Sequence, residues 1–172
     1  MLAAKTVYRA WMSDPHKPLK DAFARYATGV TVVSCLPENG EPVGLTVNSF
    51  TSVSLDPPLV LWCLEGRSSL SEAFVQSKSY AVSILASDQQ AFSNRFATPG
   101  HHGFKPEEAE TYVTGCPLLK GRVAGFDCDI VERISAGDHT ILIGQVRHFD
   151  CCEGAPLIYA GRQYLQGQVI PD

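Results

Sequence analysis

An excess of positive charge is missing from this chain, and so is any long apolar run. Its 14 Lys and Arg are outnumbered by 18 Asp and Glu, leaving a net charge of -4. The basic face that grips a phosphate backbone is therefore absent, and nucleic acid is not expected as a partner. No apolar run approaches the roughly 18 residues of a membrane span, so no membrane association is expected. Lys5 and Arg9 stand near the start, but Ala10-Trp11-Met12-Ser13 is not the apolar centre of an export signal. The cysteines lack pattern: Cys35, Cys63, Cys116 and Cys128 are scattered and Cys151-Cys152 are adjacent. With no C-x-x-C pair and no paired His spacing, no metal site is expected. Cysteine beside apolar runs behaves as a small hydrophobe, and without an export signal a cytoplasmic, reducing location is expected. There is no G-x-G-x-x-G, and no alternation of strands with helices, which argues against a dinucleotide-binding parallel sheet.

What is present suffices for one core. The 172 residues are 45% hydrophobic, which fits one domain, here residues 18–172 after an N-terminal arm of residues 1–17 with a short helix around Thr6 to Met12. Pro18 suits a first helical position, and Leu19, Phe23 and Tyr26 form one apolar stripe before Gly29. Strands are expected over Val30–Leu36 and Val43–Phe50, joined at the hairpin dipeptide Asn39-Gly40, and over Leu59–Leu64 and Ser79–Leu85. Two more, Val123–Ile134 and His139–Phe149, flank the turn at Ser135 to Asp138; in the first, Asp127 and Asp129 alternate with Phe126, Cys128 and Ile130. Ala155–Tyr159 makes a last short strand. Ser69 with Glu72 reads as a capping box for a helix to Gln76, and a second helix covers Asp88–Phe96. Residues 98–110 read as irregular, with His101 and His102 expected in solvent. Strands joined by short turns predict a mainly β chain with flanking helices: a closed antiparallel barrel.

One stretch is unusual. Gly44 to Leu64 opens as a strand, runs through the hydroxyls Ser49, Thr51, Ser52 and Ser54, turns at Asp56-Pro57-Pro58 and returns as an apolar strand. Ser and Thr are also ordinary strand and turn residues. A polar, nearly uncharged wall nevertheless suits a large, flat, hydrogen-bonding ligand.

The run Thr46-Val47-Asn48-Ser49-Phe50-Thr51-Ser52-Val53-Ser54, followed by Asp56-Pro57-Pro58-Leu59-Val60, resembles the signature of the flavin reductase-like family. So do Thr28-Gly29-Val30-Thr31-Val32-Val33 and Gly137-Asp138-His139. The resemblance covers about Leu19 to Leu165. It implies a six-stranded antiparallel Greek-key split β-barrel that binds FMN or FAD without a covalent bond. It also implies a homodimer, and NAD(P)H as co-substrate; no 2′-phosphate pocket is recognisable in the sequence, so NADH is mildly preferred over NADPH.

The resemblance places Thr46, Val47, Asn48, Ser49, Ser52 and Val53 along the flavin, with Cys63, Leu64, Ser68 and Ser69 after them. Arg67, Ser68 and Ser69 also read as a phosphate seat, although Ser69 can simply cap a helix. His139 is implied near the nicotinamide, with Gly161 and Tyr164 approaching the dinucleotide. Otherwise a His after a turn is unremarkable, and Tyr159 and Tyr164 read equally well as core aromatics. Hydride transfer needs alignment more than proton traffic, so no catalytic acid–base pair is expected. The implied activity is an NAD(P)H:flavin oxidoreductase supplying a partner monooxygenase. Reduction of a cobalt corrinoid is the alternative acceptor chemistry, and a non-catalytic flavin- or haem-binding module is the rival of another class.

Overall fold

In the computed structural model the described residues are 14–38 and 40–167. The arm's expected helix and the Asn39 half of the hairpin dipeptide lie outside them. Among the described residues there are three short α-helices, α1 (Lys17–Phe23), α2 (Ser71–Gln76) and α3 (Gln90–Phe96), and a 3-10 turn at Pro106–Glu108. The strands are β1 (Thr28–Gly29), β2 (Thr31–Cys35), β3 (Val43–Val47), β4 (Thr51–Leu55), β5 (Pro58–Glu65) and β6 (Ser79–Ile84). They continue with β7 (Ala109–Thr111), β8 (Pro117–Leu119), β9 (Ala124–Ala136), β10 (His139–Cys151), β11 (Leu157–Ala160) and β12 (Gln163–Gln166).

The main sheet is antiparallel throughout, in the order β3-β2-β6-β9-β10-β5-β4. Its six expected strands are joined by a seventh, β4, formed by the hydroxyl-rich segment. The two strands at opposite ends of this order, β3 and β4, are consecutive in the chain and separated only by residues 48–50. A connection that short spans at most roughly 14 Å. The sheet must therefore curl until its edges nearly meet, which makes a barrel with a split between β3 and β4. Smaller sheets, β1-β11-β12 and β7-β8, sit beside it.

Burial explains the strand compositions. All five residues of β2 are buried, so its β-branched side chains pack on both faces. In β5, Val60, Trp62 and Leu64 point into the barrel, where the Trp62 ring meets Phe74 and Tyr80 edge-on at 4.9 and 6.0 Å. A second cluster joins Val30, Val32, Leu85, Phe96, Leu119 and Leu157 beneath α3. The Cys35 thiol is pushed up to about 11 by burial, and Cys116 and Cys128 are raised for the same reason, so all three pack as protonated small hydrophobes.

Several expectations need correction. Ser69 does not cap α2; the N-cap is Leu70 with no side-chain cap, and Ser68 Oγ instead accepts the Leu70 N–H at 3.2 Å. Asp127 does not face water: it is fully buried and accepts hydrogen bonds from the Thr114 N–H and hydroxyl. The stripe Leu19, Phe23, Tyr26 is not covered by the chain's own core and remains more than half exposed.

Gly144 shows how close the packing is. A Cβ there would stand 2.4 Å from the Tyr80 hydroxyl and 2.9 Å from Cys128 Cβ. Gly144→Ala is expected to lower the unfolding free energy by about 1–3 kcal/mol through overpacking, read as a lower urea midpoint.

Candidate functional site at the barrel split

The split leaves a cavity of about 550 Å³. One wall is the end of β3 and the connection after it: Leu45, Thr46, Val47, Asn48 and Ser49. Opposite lie Cys63 and Glu65 of β5, then Arg67, Ser68 and Ser69. Ala97, Pro99 and His102 border it from the segment after α3, and His139 from the start of β10.

Each wall is held in place. Ser49 stitches the split, since its Oγ accepts the Cys63 N–H at 3.0 Å and donates to the Cys63 carbonyl at 3.3 Å. Thr46 Oγ1 donates to the Ser93 carbonyl at 2.7 Å, tying β3 to α3. The Gly66 N–H donates to the Asp138 carbonyl at 2.9 Å, so the 66–69 segment is fixed to the turn before His139. His139 and Glu65 are cross-strand partners. The Asp138 carboxylate accepts from His139 Nδ1 at 2.8 Å, and that bond holds the Asp138 carboxyl below its ordinary value. With Nδ1 engaged, Nε2 is the ring nitrogen left for a ligand.

The resemblance did not anticipate His102. Its backbone carbonyl accepts the Gly44 N–H at 2.8 Å, and its Nδ1 lies 3.1 Å from the Gly44 carbonyl. A carbonyl only accepts, so Nδ1 carries the proton. Nε2 is buried and has no hydrogen-bond partner among the described residues. Nothing local distinguishes His102 from His101; the contact with Gly44 makes the choice. Gly44 cannot be larger, because a Cβ would sit 2.9 Å from both Phe96 and Phe104.

The structure gathers most of the sequence-derived residues around this space: Thr46, Val47, Asn48, Ser49, Cys63, Ser68, Ser69 and His139. Others it places elsewhere. Ser52 and Val53 are exposed on β4 and do not border the cavity. Leu64 is fully buried, because strand alternation turns it inward between Cys63 and Glu65. Gly161 lies at the β11–β12 turn, in a separate groove with Arg25 and Arg162. Tyr164 borders an annex beyond Thr46 and Asn48.

The residues fit a flavin nucleotide. Asn48 offers an exposed carboxamide that makes no hydrogen bond among the described residues, and Arg67, Ser68 and Ser69 suit a phosphate. The rest of the lining is hydroxyl-bearing or apolar, apart from Glu65 and the two histidines.

Comparison with known proteins agrees. The flavin reductase like domain matches residues 23–168. A probable flavin reductase of Rhizobium meliloti is 43% identical over 137 residues, which is 80% of this chain but 44% of that protein, so the chain spans less than half of that relative's length. The FMN reductase (NADH) SmoA of Agrobacterium fabrum is 40% identical over 84% of this chain and 82% of its own. Among solved structures, the NADH:FAD oxidoreductase SgcE6 of Streptomyces globisporus superposes with a TM-score of 0.83 at 32% identity, covering 94% of each chain.

Ser49→Ala removes both bonds across the split. Stability should fall by about 1 kcal/mol, and the Cys63 amide should exchange faster with deuterated solvent than in the unaltered chain. Unchanged exchange at Cys63 would mean that Ser49 does not close the barrel.

Proposed function

Because the chain belongs to the flavin reductase-like family, we propose that it is an NADH-dependent flavin reductase that binds FMN or FAD non-covalently and supplies reduced flavin to a partner monooxygenase. The observation that carries this reading is the joining, in one cavity, of the uncharged Thr46–Ser49 wall, the Arg67–Ser69 segment and His139. Bound flavin supplies the two-electron acceptor for hydride from reduced nicotinamide.

The chain's own residues do the rest by placement. When flavin is bound, the Asn48 carboxamide and those backbone groups of the Thr46–Ser49 wall that β2 leaves free would meet the hydrogen-bonding edge of the ring, where negative charge develops on reduction. Arg67, Ser68 and Ser69 hold the phosphate. His139, fixed through Nδ1 by Asp138, presents Nε2 to the nicotinamide and orients it. Residues 18–172 act as one unit, with 1–17 as an arm. Similarity to the reductase component of a flavin-dependent trigonelline monooxygenase and to a styrene monooxygenase flavin reductase supports that acceptor over a corrinoid. Six cysteines with no disulfide among the described residues suit a reducing, cytoplasmic setting. Among the described residues, no helix is long and apolar enough to cross a membrane.

The same reading includes a homodimer. The β5-β10-β9 surface has Trp62, Leu64 and Leu142 turned into the barrel, while Leu61, Ile141, Ile143 and Ile134 lie on its outer face, partly or largely open to solvent. A sheet face this apolar calls for a cover, and an isologous contact between two copies supplies one. The double substitution Ile134→Asp with Ile143→Asp should convert a dimer to a monomer in sedimentation velocity. A chain that already sediments as a monomer contradicts the dimer.

The activity is tested by mixing purified protein with NADH and FMN or FAD and following loss of the reduced-nicotinamide absorbance; no loss with either flavin removes the proposal. His139→Ala should raise the KM for NADH roughly tenfold while leaving the flavin Kd unchanged. An unchanged KM assigns His139 a structural role.

A further inference from the structure

The proposed reaction uses Arg67 and His139 and leaves another charged residue of the same cavity, Glu65, without a task. Glu65 ends β5 and is the cross-strand partner of His139, which starts β10. Directly opposed residues of an antiparallel pair point to the same face, with Cβ atoms about 5 Å apart. Whatever His139 meets in the cavity therefore lies within reach of the Glu65 carboxylate as well.

That carboxylate is free. The Glu65 side chain is exposed and makes no hydrogen bond or ion pair with any described residue. Its backbone is fixed, by the pairing with β10 and by the Ser68 N–H, which donates to the Glu65 carbonyl at 3.0 Å. The neighbouring charges are engaged. Asp138 accepts from His139 Nδ1 and lies in the field of Arg67, and both hold its carboxyl below the ordinary value. Arg67 stands with Ser68 and Ser69 in the segment that suits a phosphate. Glu65 thus presents an uncompensated negative charge at the corner of the cavity that His139 occupies.

Hydride transfer creates the charge that such a carboxylate answers. Both electrons of the C–H bond leave the dihydronicotinamide with the hydrogen and pass to the bound flavin. The nicotinamide ring goes from neutral to a pyridinium cation, and the flavin gains the matching negative charge. A fixed negative group beside that ring attracts the cation and is nearly indifferent to the neutral donor. We propose that Glu65 is the counter-charge for the nicotinamide cation formed during hydride transfer. It stabilises that charge as it develops, and it makes the oxidised dinucleotide bind more tightly than the reduced one. This rests on the reading that His139 faces the nicotinamide.

The counter-charge is tested first without turnover. With FMN or FAD bound to the protein, calorimetric titration gives the Kd of NAD+, whose ring is cationic. It also gives the Kd of tetrahydro-NAD, a neutral analogue that donates no hydride. Glu65→Gln keeps the shape of an exposed side chain and removes only its charge. The substitution should weaken NAD+ about fivefold at low salt and leave the neutral analogue unchanged, and the difference should shrink as salt is added. In single turnover with NADH, it should slow flavin reduction about threefold without shifting the NADH concentration that gives half-maximal rate.

Equal weakening of both ligands overturns the proposal, because Glu65 then meets a part of the dinucleotide that gains no charge. Unchanged affinity for both overturns it too. In either case continued oxidation of NADH leaves the activity reading standing. A chain that binds neither dinucleotide, or that oxidises no NADH with any flavin, defeats the activity reading, and the counter-charge falls with it.

Discussion

Residues 48–50 carry the constraint on which the rest of the molecule depends. They join the two strands that end the hydrogen-bonded order of the main sheet, and they are too few to let those strands stay apart. The barrel's curvature, its split and the cavity in the split all follow from this short connection. Ser49 then turns a geometric necessity into a bonded one, because its hydroxyl serves Cys63 on the side where β4, which begins at Thr51, no longer pairs with β5. The same residues that close the barrel thereby become the wall of the cavity.

That arrangement accounts for the site's chemistry. A wall formed where two sheet edges fail to pair presents backbone groups and small hydroxyls rather than large apolar side chains. Such a wall can satisfy the edge of a flat polar ring without placing a fixed charge against it. Fixed charge lies on the opposite side, at Glu65 and Arg67, beside His139, where β5 and β10 pair and the Asp138 turn is tied to Gly66. The division is spatial: one side is an uncharged, hydrogen-bonding wall, and the other carries the charged and titratable side chains. The annex continues this logic past Asn48, with the aromatic pair Tyr159 and Tyr164 in place of hydroxyls.

Much of the architecture was readable from residue patterns. Strand alternation, Gly137-Asp138 at a turn and β-branched runs identify β2, β5, β6, β9 and β10 near their observed limits, because each pattern reports a local backbone preference reinforced by burial. The patterns failed where a partner distant in sequence decides. Asp127 alternates like a solvent-facing residue, yet Thr114 captures it inside. Ser69 and Glu72 spell a cap that is not made. His102 is indistinguishable from His101 until β3 supplies the Gly44 carbonyl.

What the linear order determined by itself is the strand inventory, the shortness of the β3–β4 connection and the polar, uncharged character of the stretch between Thr46 and Ser54. These are properties of neighbouring residues and of backbone reach, which no distant contact alters. Only the tertiary structure decided which of those residues meet. Curling the sheet brought Cys63, Ser68 and His139 to face Asn48, turned Leu64 inward and left Ser52 and Val53 on an outer edge. It also parted Tyr164 from His139, since the last hairpin packs on α3 and not on the strands that carry the histidine.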